Sequence, residues 1–198
     1  MTRREVLQQA LSAPLALHLD PCASLRILSE PNCLSQESAT AFRSLRLPSN
    51  LTVLCGVANI GKTQAIALRE QLRRGRSVLW ELSPHTTGNQ RHALRDIFGI
   101  VVGEPFTPSP KHLYIEYDWP HPALTRSFSE MLPLRADATP IASYQGMPIA
   151  VKRGGLIVLG SLLGPNIYAE EAQSNQVLSA IFSRITSADT STTTSTNT

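Results

Sequence analysis

Between residues 25 and 98, short apolar runs alternate with amphipathic helical patterns. This alternation limits the possible folds more than any other feature. Leu25 to Ser29, Leu51 to Cys55 and Ser77 to Leu82 read as buried strands. Ser35 is placed to cap a helix with Ala39, Phe42 and Leu45 on one face, which Pro48 to Asn50 breaks. Residues 62 to 74 carry a second stripe, Ala65, Leu68 and Leu72. A third stripe, Ala93, Leu94, Ile97 and Phe98, follows Thr87 and Gln90, which have capping-box spacing. Gly75 and Gly99 end the last two helices. Strands and helices alternating this closely imply parallel pairing through right-handed crossovers.

After Gly99 the pattern changes. From His112 to Trp119, Leu113, Ile115 and Tyr117 alternate with Tyr114 and Glu116, as in a strand with one wet face. Ile141 to Tyr144, Met147 to Lys152 and Leu156 to Gly160 read as three more strands, joined at Gln145-Gly146 and Arg153-Gly154-Gly155. A last helix over 170 to 185 has Val177, Leu178, Ile181, Phe182 and Ile185 as its stripe. The expected fold class is α/β: an open sheet, parallel at its core, with an antiparallel extension and helices on both faces.

At 198 residues the chain suits one domain, expected over residues 25–186. Residues 187–198 are nearly all Ser, Thr and Asn and are expected to be a disordered tail. Met1-Thr-Arg-Arg-Glu-Val-Leu7 resembles a twin-arginine export signal, with Val6 where Phe is usual. Residues 1–24 then read as a leader ending at Cys22 and Ser24, and the protein as exported or periplasmic. The alternative is an amphipathic leader on a cytoplasmic protein. The net charge of +3 is small and scattered, with Arg73, Arg74 and Arg76 as the internal cluster. A nucleic-acid face is therefore not expected. No apolar run reaches the roughly 18 residues of a membrane span. Cys22, Cys33 and Cys55 lack metal-site spacing, so no metal or other cofactor is expected; whether Cys33 and Cys55 pair is open.

Gly56-Val-Ala-Asn-Ile-Gly-Lys-Thr63 fits the letters of a phosphate-binding P-loop between a strand and a helix. In that reading Gly56, Gly61, Lys62 and Thr63 bind a nucleotide. The surrounding chain argues against it. A following strand should end in Asp to hold the metal ion, and Ser77 to Leu82 offers only Glu81 before its last residue. A complete strand–helix unit also precedes this one. The plainer reading is an ordinary connection in which Gly56 begins the loop and Lys62-Thr63 open the helix.

Three stretches carry a family resemblance. One is Leu51 to Ile60 with the helix ending Leu68 to Gly75. The second is Ser77 to Ser83 with Leu94 to Ile100, and the third is Gly146 to Ser161. Together they are similar to the class I glutamine amidotransferase-like superfamily, in particular its non-catalytic branches such as the β-galactosidase trimerisation domain. The resemblance implies a flavodoxin-like (Rossmann-like) sheet over roughly residues 25 to 185. Active members carry G-x-C-x-G at a strand-to-helix elbow, with His and Glu later. Here the elbow reads Glu81-Leu-Ser-Pro-His85, and no His follows His121. The resemblance thus implies a non-catalytic binding or assembly module, linked to carbohydrate or cell-envelope processes. Its partner would be an unknown small molecule or protein, with homo-oligomer formation open. A hydrolase using Ser83 and His85, with Glu81 orienting the base, is the other alternative.

In open parallel sheets, ligands bind beyond the carboxyl ends of the strands. The polar residues expected there are Glu30, Asn59, Glu81, Ser83, His85 and Ser161. Tyr114, Tyr117 and Trp119 form an aromatic group that suits either sugar stacking or packing of the sheet extension.

Overall fold

The computed structural model describes residues 27–127 and 129–192. The expected leader at 1–24 and the last six residues of the tail lie outside that range. The first half runs β1 (Ile27–Ser29), α1 (Cys33–Ser44), β2 (Leu51–Val57), α2 (Lys62–Arg73), β3 (Ser77–Leu82), α3 (Gly88–Phe98) and β4 (Ile100–Val102). Five more strands follow: β5 (Tyr114–Tyr117), β6 (Ala123–Arg126), β7 (Leu134–Ala136), β8 (Thr139–Tyr144) and β9 (Met147–Arg153). Then come β10 (Leu156–Leu159), α4 (Gly164–Tyr168) and α5 (Ala172–Thr192).

One 8-stranded sheet has the order β1-β2-β3-β10-β9-β8-β5-β6. Its β1, β2, β3 and β10 are parallel neighbours, and from β10 to β6 every pairing is antiparallel. The expected parallel core with an antiparallel extension is what forms. Strands β4 and β7 make a separate antiparallel pair.

Side chains of the central strands alternate between two apolar clusters, as the period of two requires. Leu51, Val53 and Cys55 of β2, Leu79 of β3, and Ile157 and Leu159 of β10 face α1, α4 and α5. Leu54 and Val57, Val78, Trp80 and Leu82, and Leu156 and Val158 face α2 and α3. Buried on both faces, these strands read in sequence as continuous apolar runs.

Several local expectations change. Asn32, not Ser35, caps α1: its side chain accepts the Ser35 N–H at 2.9 Å. A helix opened at Asn32 places Ser35 in the first turn. There its hydroxyl accepts the Glu30 N–H at 2.8 Å and donates to the Cys55 carbonyl. Gly56 does not begin a loop. It lies inside β2 with φ +54°, where the register against β3 shifts between Leu54 and Val57. That bulge needs a residue free to adopt a left-handed backbone. Strand β6 and the β4–β7 pair were not anticipated. At an edge, Ala123 to Arg126 buries little beyond Thr125 and so lacks a clear apolar alternation. Helix α5 continues past the expected end at 185 to Thr192. Within it the hydroxyls of Ser183 and Thr186 donate to the carbonyls of Ser179 and Phe182, each at 2.9 Å. Such back-bonding lets hydroxyl residues sit inside a helix.

Candidate functional site

The carboxyl ends of β1, β2, β3 and β10 are where a ligand of an open sheet would bind. Glu81 lies at the end of β3, on the same strand face as Leu79. It therefore points into the side covered by α1 and α4, and it is 0% exposed. One carboxylate oxygen accepts the backbone N–H groups of Leu163 (2.9 Å) and Gly164 (2.8 Å). These are the first, otherwise unsatisfied donors of α4. The other oxygen accepts the hydroxyl of Ser38 from α1. Burial pushes the Glu81 pKa up to about 7, against the pull of Ser38 and the two backbone donors. The approach of α4 to α1 is close. A Cβ on Gly164 would stand 1.7 Å from the Ser38 hydroxyl and 2.5 Å from its Cα.

Cys55 is a free thiol, so it forms no bridge with Cys33, and it is 0% exposed. Burial pushes its pKa up, and the nearby Glu81 carboxylate adds to this. The same two causes, in the same order, raise the Tyr117 hydroxyl. A buried thiol held in its neutral form is a packing group and a poor nucleophile.

The P-loop-like segment is held by its own side chains. The Asn59 N–H donates to a Glu30 carboxylate oxygen at 3.0 Å. The Ile60 N–H donates to Gln90 Oε1 at 2.8 Å, and the Gly61 N–H to Gln64 Oε1 at 2.7 Å. Three successive backbone donors that a phosphate would need are thus engaged within the chain. Lys62 and Thr63 are exposed at the start of α2. Helix α2 covers the sheet face opposite the one that buries Glu81. Glu81 is therefore not positioned to share a metal ion with Thr63.

The Ser83 hydroxyl accepts the backbone N–H of His85 at 3.2 Å, so the contact does not involve the imidazole. The Ser83 carbonyl accepts both the N–H and the hydroxyl of Thr86, forming a turn before α3. His85 is exposed, Ser83 and Ser161 are buried, and the Glu81 carboxylate is committed to Ser38 and α4. Of the six polar residues expected at the crevice, Glu30 and Asn59 meet directly. Asn59 also accepts the hydroxyl of Thr87 at 3.2 Å.

Reading the sequence missed Ser38, Gln64 and Gln90. Gln90 has the spacing of the far half of a capping box. Thr87 does accept its N–H at 3.4 Å, but the Gln90 side chain turns inward to Ile60 and Val57. The aromatic group divides as well. Tyr114 is exposed, Tyr117 is buried on the other face of β5, and Trp119 sits beyond the strand end. Among the described residues no group of His, Cys, Asp and Glu is placed to hold a metal ion, and no helix is long and apolar enough to cross a membrane.

No protein-family model matches the chain, and no curated protein matches it. Several solved structures are similar to the chain. A β-galactosidase from the psychrophilic Marinomonas ef1 aligns over 74% of this chain and 25% of its own, at 15% identity and a TM-score of 0.50. Gan42B, a GH42 β-galactosidase from G. stearothermophilus, aligns over 78% of this chain and 30% of its own, at 13% identity and a TM-score of 0.52. A glutamine amidotransferase from Thermotoga maritima aligns over 70% of this chain and 72% of its own, at 13% identity and a TM-score of 0.40. This chain thus spans a third or less of the β-galactosidase chains it is similar to, and what it shares with them is the fold.

Proposed function

We propose that this chain is a non-catalytic amidotransferase-like module that serves binding or assembly in a carbohydrate-linked process. One observation carries the reading: the strand end where the family presents its nucleophile is filled by Glu81, which is tied to Ser38, Leu163 and Gly164. Groups committed to packing in this way support a strand end without a nucleophile and base held in reach of each other. The buried neutral Cys55 supports the same reading. Similarity to part of two β-galactosidase chains supports an accessory role beside carbohydrate chemistry.

The test is turnover by the purified chain with glutamine, p-nitrophenyl esters and p-nitrophenyl glycosides. The expected result is no hydrolysis above background. Hydrolysis abolished by Ser83→Ala or Cys55→Ala would overturn the proposal.

A further inference from the structure

The opposite end of the sheet holds a cavity of about 830 Å³, where β2, β3 and β10 begin. Its size falls within the range of small-molecule sites. Four cationic residues reach it from three parts of the chain: Arg74 and Arg76 after α2, Lys152 of β9, and Arg184 of α5. None of the residues lining it is acidic. Arg73, beside this group in sequence, stays outside the lining and pairs with Glu70 at 3.0 Å. Helix-dipole compensation accounts for Arg74, the C-cap of α2, but not for Lys152 and Arg184 on other elements. The Arg76 Nε atom is buried and has no hydrogen-bond partner among the described residues.

Asn50 and Ser77 also line the cavity, and much of the remaining wall is apolar. Ile157 of β10 and Ile185 of α5 line it beside Trp119, and Lys152 Nζ lies 5.4 Å from the centroid of the Trp119 ring. That cation–π contact ties an aromatic surface to a positive charge. A cleft lined by one sign of charge concentrates ions of the other sign. Guanidinium groups suit the paired oxygens of phosphate and carboxylate.

We propose that this cavity binds a small soluble molecule that joins a flat ring to a phosphate or carboxylate group. The anion meets Arg76, Lys152 and Arg184, and the ring lies along Trp119, Ile157 and Ile185. The site is separate from the filled strand ends and does not depend on whether the chain is catalytic.

1-Naphthyl phosphate is the probe, titrated into the full chain by calorimetry and by amide chemical-shift mapping. The ring-only and charge-only arms are 1-naphthol and inorganic phosphate. Both should bind more weakly than the joined molecule. Binding should weaken with added salt, and the shifts should centre on residues 74–77, 119 and 152–157. Arg76→Gln combined with Lys152→Gln should lower affinity by roughly tenfold or more. Exposed Arg184→Gln is a second variant with little risk to the fold, and it should weaken binding in the same direction. Wild-type affinity in both variants, shifts centred on Glu81 and residues 58–61, or no binding at millimolar probe would each overturn the proposal. So would binding to vesicles of phosphatidylglycerol without binding to the soluble probe, since the cations would then serve a lipid surface.

Discussion

The side-chain carbonyl of Gln90 accepts the backbone N–H of Ile60 at 2.8 Å, with both residues fully buried. The amide nitrogen of the same side chain donates to the Val57 carbonyl, also at 2.8 Å. One glutamine on α3 thus ties the end of β2 to the segment before α2. Water is excluded there, so each of these backbone groups depends on Gln90 for its hydrogen bond.

Gln90→Ala should therefore destabilise the fold by about 3 kcal/mol, because it leaves a buried donor and a buried acceptor unsatisfied. Gln90→Glu keeps the acceptor and loses the donor, so it should also destabilise at neutral pH. Denaturant midpoints with unchanged slopes measure both. A Gln90→Ala midpoint equal to wild type would show that the loop satisfies itself some other way.

Millimolar Mg·ATP should not raise the melting temperature. The N–H groups of Asn59, Ile60 and Gly61 already have partners in Glu30, Gln90 and Gln64. A ligand at about one hundred times its dissociation constant would stabilise by roughly 2.7 kcal/mol, which thermal scanning detects easily. A rise in melting temperature that vanishes in Lys62→Ala contradicts this prediction.

Glu81 should make stability depend on pH. Its pKa is raised from 4.5 in the ordinary state to about 7 in the folded one, chiefly by burial. Between these values the folded chain holds a proton that the unfolded chain has released. The contribution of this group is therefore full below about 4.5 and falls as pH rises towards 7. Glu81→Gln keeps an oxygen for Leu163 and Gly164 and removes the titration. The stability difference between wild type and Glu81→Gln should shift in favour of the variant across that window. A difference that stays flat with pH contradicts the assignment.

Cys55 should resist alkylation in the native chain. It is fully buried, and its thiol is held neutral by burial and by Glu81. Iodoacetamide labelling followed by peptide mapping should find Cys55 unmodified until denaturant is added. Native-state labelling at the rate of a free thiol would show that the cluster beneath α4 opens readily.

Gly164→Ala should be severely destabilising, by roughly 3 kcal/mol or more, because the added methyl falls within 2.5 Å of Ser38 backbone as well as side chain. Thermal melts check this. A variant that keeps its wild-type melting temperature would show that α4 can move away from α1 at little cost.

The first three strands and their helices were legible because each element carries its own periodicity. Ala65 and Leu68, or Ala93 and Leu94, announce a buried helix face without reference to anything distant. The antiparallel hairpin at Gln145-Gly146 was legible for the same reason, since its turn chemistry is local. What could not be read depends on pairs remote in sequence. Glu81 looked like a polar group at a wet strand end, because nothing near it shows that Ser38 and Gly164 will close over it. Arg74 and Arg76 stood out as a cluster, but only the return of β9 and β10 beside β3 brings Lys152 to them. Gln90 matched the letters of a cap, and the choice between capping and reaching Ile60 was made by packing.

Strand β10 sits between β3 and β9, although more than a third of the chain separates it from β3 in sequence. This has a consequence for the ribosome. When β3 has been synthesised, its apolar edge, with Trp80 at the centre, has β2 on one side and nothing on the other. The edge stays open until residues 156–159 emerge, and bare strand edges invite pairing with other chains. The wait is long because closing so wide a loop must precede any gain from the contact. A nascent chain stalled before residue 156 would hold no smaller version of this fold, and shielding of the β3 edge would fall to chaperones until the last strand arrives.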